Sequence, residues 1–195
     1  MNPTPGERDD ADLVAAALAG EDRAFTELMR RHKEPIYRFV RHYVGDADEA
    51  YDLVQETFVA AWSALSSFDA RRPMSAWMRR IALNKCRDWS RRRQVRRFFF
   101  KADHLDSVAA RAIAVDDSQR DDARDRSMAS LDAAIATLPA ALKEPLLLTV
   151  FEGLSQKEVA LMLGVSAKAV ETRLYRARQI LTGSLAQTKG ADDPS

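Results

Sequence analysis

The chain has 195 residues, room for one large domain or two small ones. Apolar residues make up 46% and charged residues 30%, which excludes a disordered chain, and seven Gly with seven Pro favour helices over a strand-and-turn fold. One cysteine, Cys86, excludes an intramolecular disulfide framework and reads as a buried structural thiol; with only His32, His42 and His104 beside it, no metal-ligand spacing emerges and no cofactor is expected. Apolar runs such as 13–19 are too short to cross a bilayer, and the start of the chain has no secretory core. The expectation is a cytoplasmic, all-α protein with no direct membrane insertion.

The net charge of +1 hides a strong sorting of sign. Residues 1–60 hold 7 basic and 13 acidic side chains, a net −6. Residues 77–101 hold 10 basic and 1 acidic, a net +9. Residues 102–126 fall to −3, and residues 127–195 balance at zero. Blocks of opposite sign predict surfaces for different partners, the basic one suited to a polyanion.

In chain order, residues 1–11 read as a flexible arm. Helical spacing follows, with Phe25, Leu28, Met29, Ile36, Phe39, Val40 and Tyr43 on one face. Pro35 either kinks this run or opens a second helix, and Gly45 suits a C-terminal cap. Asp46 and Glu49 have capping-box spacing. The helix they open carries Val54, Phe58, Ala61, Trp62 and Leu65 on its core side. Asp48, Asp52, Gln55 and Glu56 lie on the other side, either as a solvated face or as a docking face for a protein.

Residues 66–73 break the period and read as a loop. A third helix starts near Pro73, with Trp77, Ile81, Ala82 and Trp89 buried, and runs into Arg91, Arg92, Arg93, Arg96 and Arg97. Arginines interleaved with Trp89 and the Phe98–Phe100 triplet suit nucleic acid. Residues 102–126 read as an acidic linker. Periodicity returns at Leu131, Ile135 and Leu138. Pro139 then ends that helix or begins the next, which carries Leu142, Leu146 and Val150.

The sharpest motif spans 153–181. Ser155 and Glu158 form a capping box, Gly164 fits a left-handed helix end, and Ser166 can cap a second helix. Val170, Leu174, Ala177 and Leu181, spaced four, three and four, give that helix its core face. Two helices around a tight Gly turn, the second rich in Arg, form a helix-turn-helix. Its second helix enters the major groove, where Arg meets phosphate or guanine and Glu171 can accept from a cytosine amino group. No nucleophile constellation, phosphate loop or carboxylate cluster marks an enzyme.

Three motifs, in this order, resemble the bacterial sigma-70 family of RNA polymerase sigma factors. Residues 52–62 (Asp-Leu-Val-Gln-Glu-Thr-Phe-Val-Ala-Ala-Trp) are similar to its region 2 signature. Residues 72–84 are similar to the part that melts and reads the −10 element, and residues 153–160 with 169–178 to region 4. The length and the missing region 3 resemble the extracytoplasmic-function (group IV) type, and 58–62, 68–73 and 95–100 resemble its cobalt- and nickel-resistance subgroup.

The resemblance implies two small helical domains joined by a linker: region 2 over 12–100, an acidic linker over 101–126, region 4 over 127–186 and a tail over 187–195. It implies that Asp48, Asp52, Gln55 and Glu56 bind core polymerase at the β′ clamp helices, with region 4 at the β-flap. It assigns Ser67, Phe68, Asp69, Arg71, Asn84, Lys85, Arg87, Asp88 and Arg91 to −10 DNA. Lys168, Glu171, Thr172, Arg173, Tyr175 and Arg176 fall to −35 DNA. Many members carry a basic residue where this chain has Glu171, so the resemblance leaves the −35 sequence open. The linker would thread toward the polymerase cleft. A membrane-linked anti-sigma factor, clamping between the two domains, is the implied off-switch. An autonomous helix-turn-helix regulator is the alternative, but it leaves 52–62 unexplained.

Overall fold

The computed structural model describes residues 8–103 and 124–191, with side chains described over 8–96 and 131–184. Among these residues every regular element is helical. The helices are α1 (Asp10–Leu18), α2 (Asp22–Val44), α3 (Ala47–Ser63), α4 (Met74–Asp103), α5 (Arg124–Thr137), α6 (Ala140–Val150), α7 (Gln156–Leu163) and α8 (Ala167–Ala191), with a short 3-10 turn at Leu65–Ser67. The chain divides into two compact units. The first runs to Arg41 and resumes over Ala47–Gln94; the second takes His42–Asp46 and the chain from Val95 onward.

In the first unit, α1 begins inside the stretch expected to be a loose arm. Asp9 caps it by accepting the Asp12 N–H at 2.8 Å. Asp10 then pairs with Arg31 at 3.2 Å and His32 at 2.9 Å on α2, and Leu13, Val14 and Ala17 are buried. Helix α2 runs unbroken through Pro35. Burial of Leu28, Ile36, Phe39 and Val40 along one side holds it across the missing hydrogen bond. Gly45 ends it at φ 80°, a conformation that favours glycine.

Helix α3 buries Ala50, Leu53, Val54, Phe58 and Ala61. Trp62, expected in the core, is 46% exposed. Its ring instead meets Phe25 edge-to-face at 4.7 Å between centroids. Helix α4 buries Met74, Met78, Ala82, Leu83, Cys86 and Trp89, while Trp77 and Ile81 are half-buried. It continues to Asp103, into the stretch expected as linker from 101, since its arginines are good helix formers.

In the second unit, α5, α6 and α7 pack on α8. Pro139 stands between α5 and α6 as the N-cap of α6, where its missing N–H costs nothing. The core takes Ile135, Leu138, Leu146, Leu147, Leu148, Val159, Val170, Leu174 and Ala177. Val150, expected on a core face, is 56% exposed. Lys143 is buried, and its ammonium donates to the Ala136 carbonyl at 2.7 Å near the end of α5. The expected linker lies mostly outside the described residues. Helix α5 begins at Arg124, inside it.

Candidate nucleic-acid and partner interfaces

The helix-turn-helix is built as the spacing predicts. The Ser155 hydroxyl accepts the Glu158 N–H, and the Glu158 carboxylate accepts the Ser155 N–H at 2.8 Å, so each satisfies an orphan donor of the first turn. The Ser155 hydroxyl also donates to the Glu158 carboxylate at 2.7 Å, and this bond, then the one from the Ser155 backbone N–H, favours the ionised form and holds its pKa below the ordinary value. Gly164 closes α7 at φ 67°. The Ser166 hydroxyl accepts the Ala169 N–H at 3.1 Å and starts α8. With Val170, Leu174, Ala177 and Leu181 buried, α8 presents Lys168, Glu171, Thr172, Tyr175 and Arg176 to solvent, and Arg173 is half-buried. Lys168 pairs with Glu171 at 2.9 Å, and the Thr172 hydroxyl donates to the Lys168 carbonyl.

In the first unit, Asp48, Asp52 and Gln55 stand exposed on α3. Glu56, one turn on from Asp52, stands at the α4 edge of the same side: it is half-buried, and its carboxylate meets Lys85 at 3.4 Å and Arg92 at 3.8 Å.

The 66–73 loop is more ordered than its composition suggests. The Ser67 hydroxyl donates to the Ala64 carbonyl at 2.6 Å. Phe68 is half-buried, edge-to-face with Trp77 at 5.4 Å. Asp69 accepts from the Arg71 backbone N–H at 3.1 Å and from its guanidinium at 2.9 and 3.0 Å. The Arg71 guanidinium, then its backbone N–H, hold the Asp69 carboxyl at about 2. On α4, Asn84, Asp88 and Arg91 are exposed, Asp88 and Arg91 pair with each other, and Lys85 and Arg87 are half-buried. Arg93 lies 5.1 Å from the Trp89 ring centre. The side chains of Arg97 and Phe98–Phe100 lie outside the described residues.

A further feature is not anticipated by the helical spacing. Phe25, Met29, Tyr51, Phe58, Val59 and Trp62 line an open apolar groove of about 610 Å³ between α2 and α3, with Gln55 and Lys33 also on its wall. Its signal is present in the chain. Tyr51, Val59 and Trp62 form a second apolar stripe on α3, beside the one that enters the core. Among the described residues no group of His, Cys, Asp and Glu could hold a metal ion, and no helix is long and apolar enough to cross a membrane.

Comparison with known proteins matches both units. The sequence models for Sigma-70 region 2 and Sigma-70, region 4, match residues 28–96 and 128–181. The chain is 40% identical over 190 residues to RNA polymerase sigma factor CnrH of Cupriavidus metallidurans, covering 95% of this chain and 97% of that one. It is 38% identical over 176 residues to RNA polymerase sigma factor NccH of Alcaligenes xylosoxydans xylosoxydans, covering 90% and 94%. A solved structure of CnrH in complex with the cytosolic domain of CnrY matches with TM-score 0.64 and 34% identity, over 94% of this chain and 99% of that one.

Proposed function

This chain belongs to the sigma-70 family of RNA polymerase sigma factors, in its extracytoplasmic-function type, and we propose how its surfaces divide that work. Asp48, Asp52, Gln55 and Glu56 dock on the β′ clamp helices of core polymerase. The 66–73 loop and the outer face of α4 take the −10 strand, and α8 reads the −35 element. The likeness to CnrH and NccH supports the cobalt- and nickel-resistance subgroup. The site of action is the cytoplasm, where the polymerase works.

The observation that carries this reading is the segregation of exposed charge. Acid lines the outer side of α3, and arginine and lysine line α4 and α8. One nucleic acid cannot take both faces, so at least two partners are needed. The mechanism is binding, not catalysis. Each DNA reader alone binds weakly, and tethering both to one polymerase raises their effective concentration to about millimolar. Capturing an unstacked base in the 66–73 loop offsets the few kcal/mol, roughly, that unstacking that base costs.

The off-switch follows from the groove. Gln55 belongs both to the acidic face and to the groove wall. An anti-sigma factor that lays an amphipathic helix in the groove, with apolar side chains at i, i+3 and i+7, therefore covers part of the polymerase site. The complex of CnrH with CnrY supports such a partner for this chain.

The test is run-off transcription with core polymerase on a library of random −35 and −10 elements. Specific transcripts that vanish with Asp52→Arg, together with the complex with core, support the reading. Specific duplex binding by the chain alone, with no complex with core, overturns it in favour of an autonomous regulator.

A further inference from the structure

We infer that Glu56 couples the two faces of the first unit: in the free protein it holds back two cations of the −10 surface, and polymerase docking releases them. The inference rests on the proposed assignment of α3 to polymerase and α4 to the −10 strand.

Glu56 projects from α3 toward α4. Its Oε2 lies 3.4 Å from Lys85 Nζ and 3.8 Å from Arg92 Nη2. Lys85 and Arg92 are seven residues apart, two turns on one side of α4, and the one carboxylate lies within reach of both. The Glu56 side chain is 42% exposed, so it is also open to a docking partner beside Asp52 and Gln55. Arg92 is 57% exposed and Lys85 30% exposed, so both can reach a strand laid along α4.

A lysine or arginine already paired with an internal carboxylate benefits less from a phosphate, because the existing pair must be broken or shared. Exposed pairs of this kind are weak, so the restraint is partial and a partner can overcome it. A donor from polymerase that takes the Glu56 carboxylate leaves Lys85 and Arg92 to the DNA. Linkage then requires the reverse: DNA on α4 frees Glu56 and strengthens polymerase docking. Asp88 and Arg91 repeat the pairing on α4 itself, but Asp88 lies on the DNA-facing helix and no polymerase group reaches it by this route.

The experiment measures binding of the full chain to a fluorescein-labelled single-stranded oligo-dT 12-mer over a salt series. Glu56→Gln keeps the shape of the side chain and removes its charge. It is expected to bind about threefold to tenfold tighter at low salt, and the log–log salt slope should steepen by roughly 0.7 for each additional phosphate neutralised. In a Lys85→Gln/Arg92→Gln background, Glu56→Gln should add nothing. An unchanged slope in Glu56→Gln, while the double variant binds more weakly than wild type, overturns the coupling and leaves the two surfaces standing. Equal tightening in both backgrounds also overturns it, since net charge alone then explains the effect. A double variant that binds as wild type removes α4 from the DNA surface, and the coupling falls with it.

Discussion

Trp89 donates its indole N–H to the Glu49 carboxylate at 2.7 Å, fixing α4 against α3 at a point where both are close to the protein's proposed working surfaces. Trp89 is only 6% exposed. A donor so placed needs an acceptor, and Glu49 supplies a charged one from the first turn of α3. Trp89→Phe keeps most of the apolar packing and removes the hydrogen bond. The expected cost is about 1.5–3 kcal/mol in urea unfolding. Trp89→Ala should cost about 3–5 kcal/mol, because a cavity is added. If Trp89→Phe and Glu49→Ala destabilise additively in a double-mutant cycle, the bond carries no stability of its own.

The second unit rests on the Ser155–Glu158 box. Ser155→Ala removes an N-cap and should cost about 1 kcal/mol in the unfolding of the α5–α8 unit. The box also sets a pH dependence. Bonds from the Ser155 hydroxyl and backbone N–H hold the Glu158 carboxyl below its ordinary value of 4.5. A carboxylate depressed by folding contributes stability above its unfolded pKa and loses it as pH falls through the folded one. The unit should therefore lose stability below about pH 4.5, and Ser155→Ala should flatten that loss. A pH series of thermal melts on both proteins checks it.

The two units differ in how far the chain alone reveals them. The register of α8 is legible because Val170, Leu174, Ala177 and Leu181 leave one helical solution, and polar side chains fill the rest of the turn. The box and Gly164 are legible because both are local, needing only neighbours within four residues. The positions of Glu56 and Trp62 are not. Both lie on α3, where an apolar arc wider than one packing face leaves open which stripe is covered. Only the packing of α2 and α4 against α3 decides that Phe58 is buried, Trp62 lines a groove and Glu56 meets Lys85. The burial of Lys143 is hidden for the same reason, since its acceptor appears only once α5 and α6 have packed.

In the 66–73 loop the Asp69–Arg71 pair acts as a short staple. The carboxyl, held at about 2 by Arg71, stays ionised through the neutral range. By the same sign argument, its contribution is present above its ordinary value of 3.8 and fades as pH falls toward 2. Protection of the loop amides, relative to their intrinsic exchange rates, should fall over that window, and Asp69→Asn should show the lower protection already at pH 7. Promoter opening should slow in the same variant, since the loop must pre-form to hold an extruded base. Unchanged opening with a loosened loop would separate the staple from promoter melting.

Lys168 and Glu171 present the −35 surface with a pair of opposite charges one turn apart. With the side chains 80% and 55% exposed, the pair is worth no more than about 1 kcal/mol, and DNA can separate it. Two roles for Glu171 then compete. It can accept from a cytosine amino group, which is worth about 1–3 kcal/mol against other bases at one position. It can instead only lower the positive potential of α8, which weakens every sequence alike. Glu171→Ala separates them. Loss of base readout predicts relaxed preference at a single base pair, with affinity for other sequences unchanged or raised. Loss of a repulsive charge predicts uniformly tighter binding. Lys168→Ala serves as the reference: removing a cation that meets phosphate should weaken all duplexes and reduce the salt slope by about 1. Anisotropy on duplexes substituted one base at a time, at several salt concentrations, reads both quantities in one series. Tightening that is equal at every base would leave Glu171 as a charge that tunes affinity and assign specificity to Arg173, Tyr175 and Arg176.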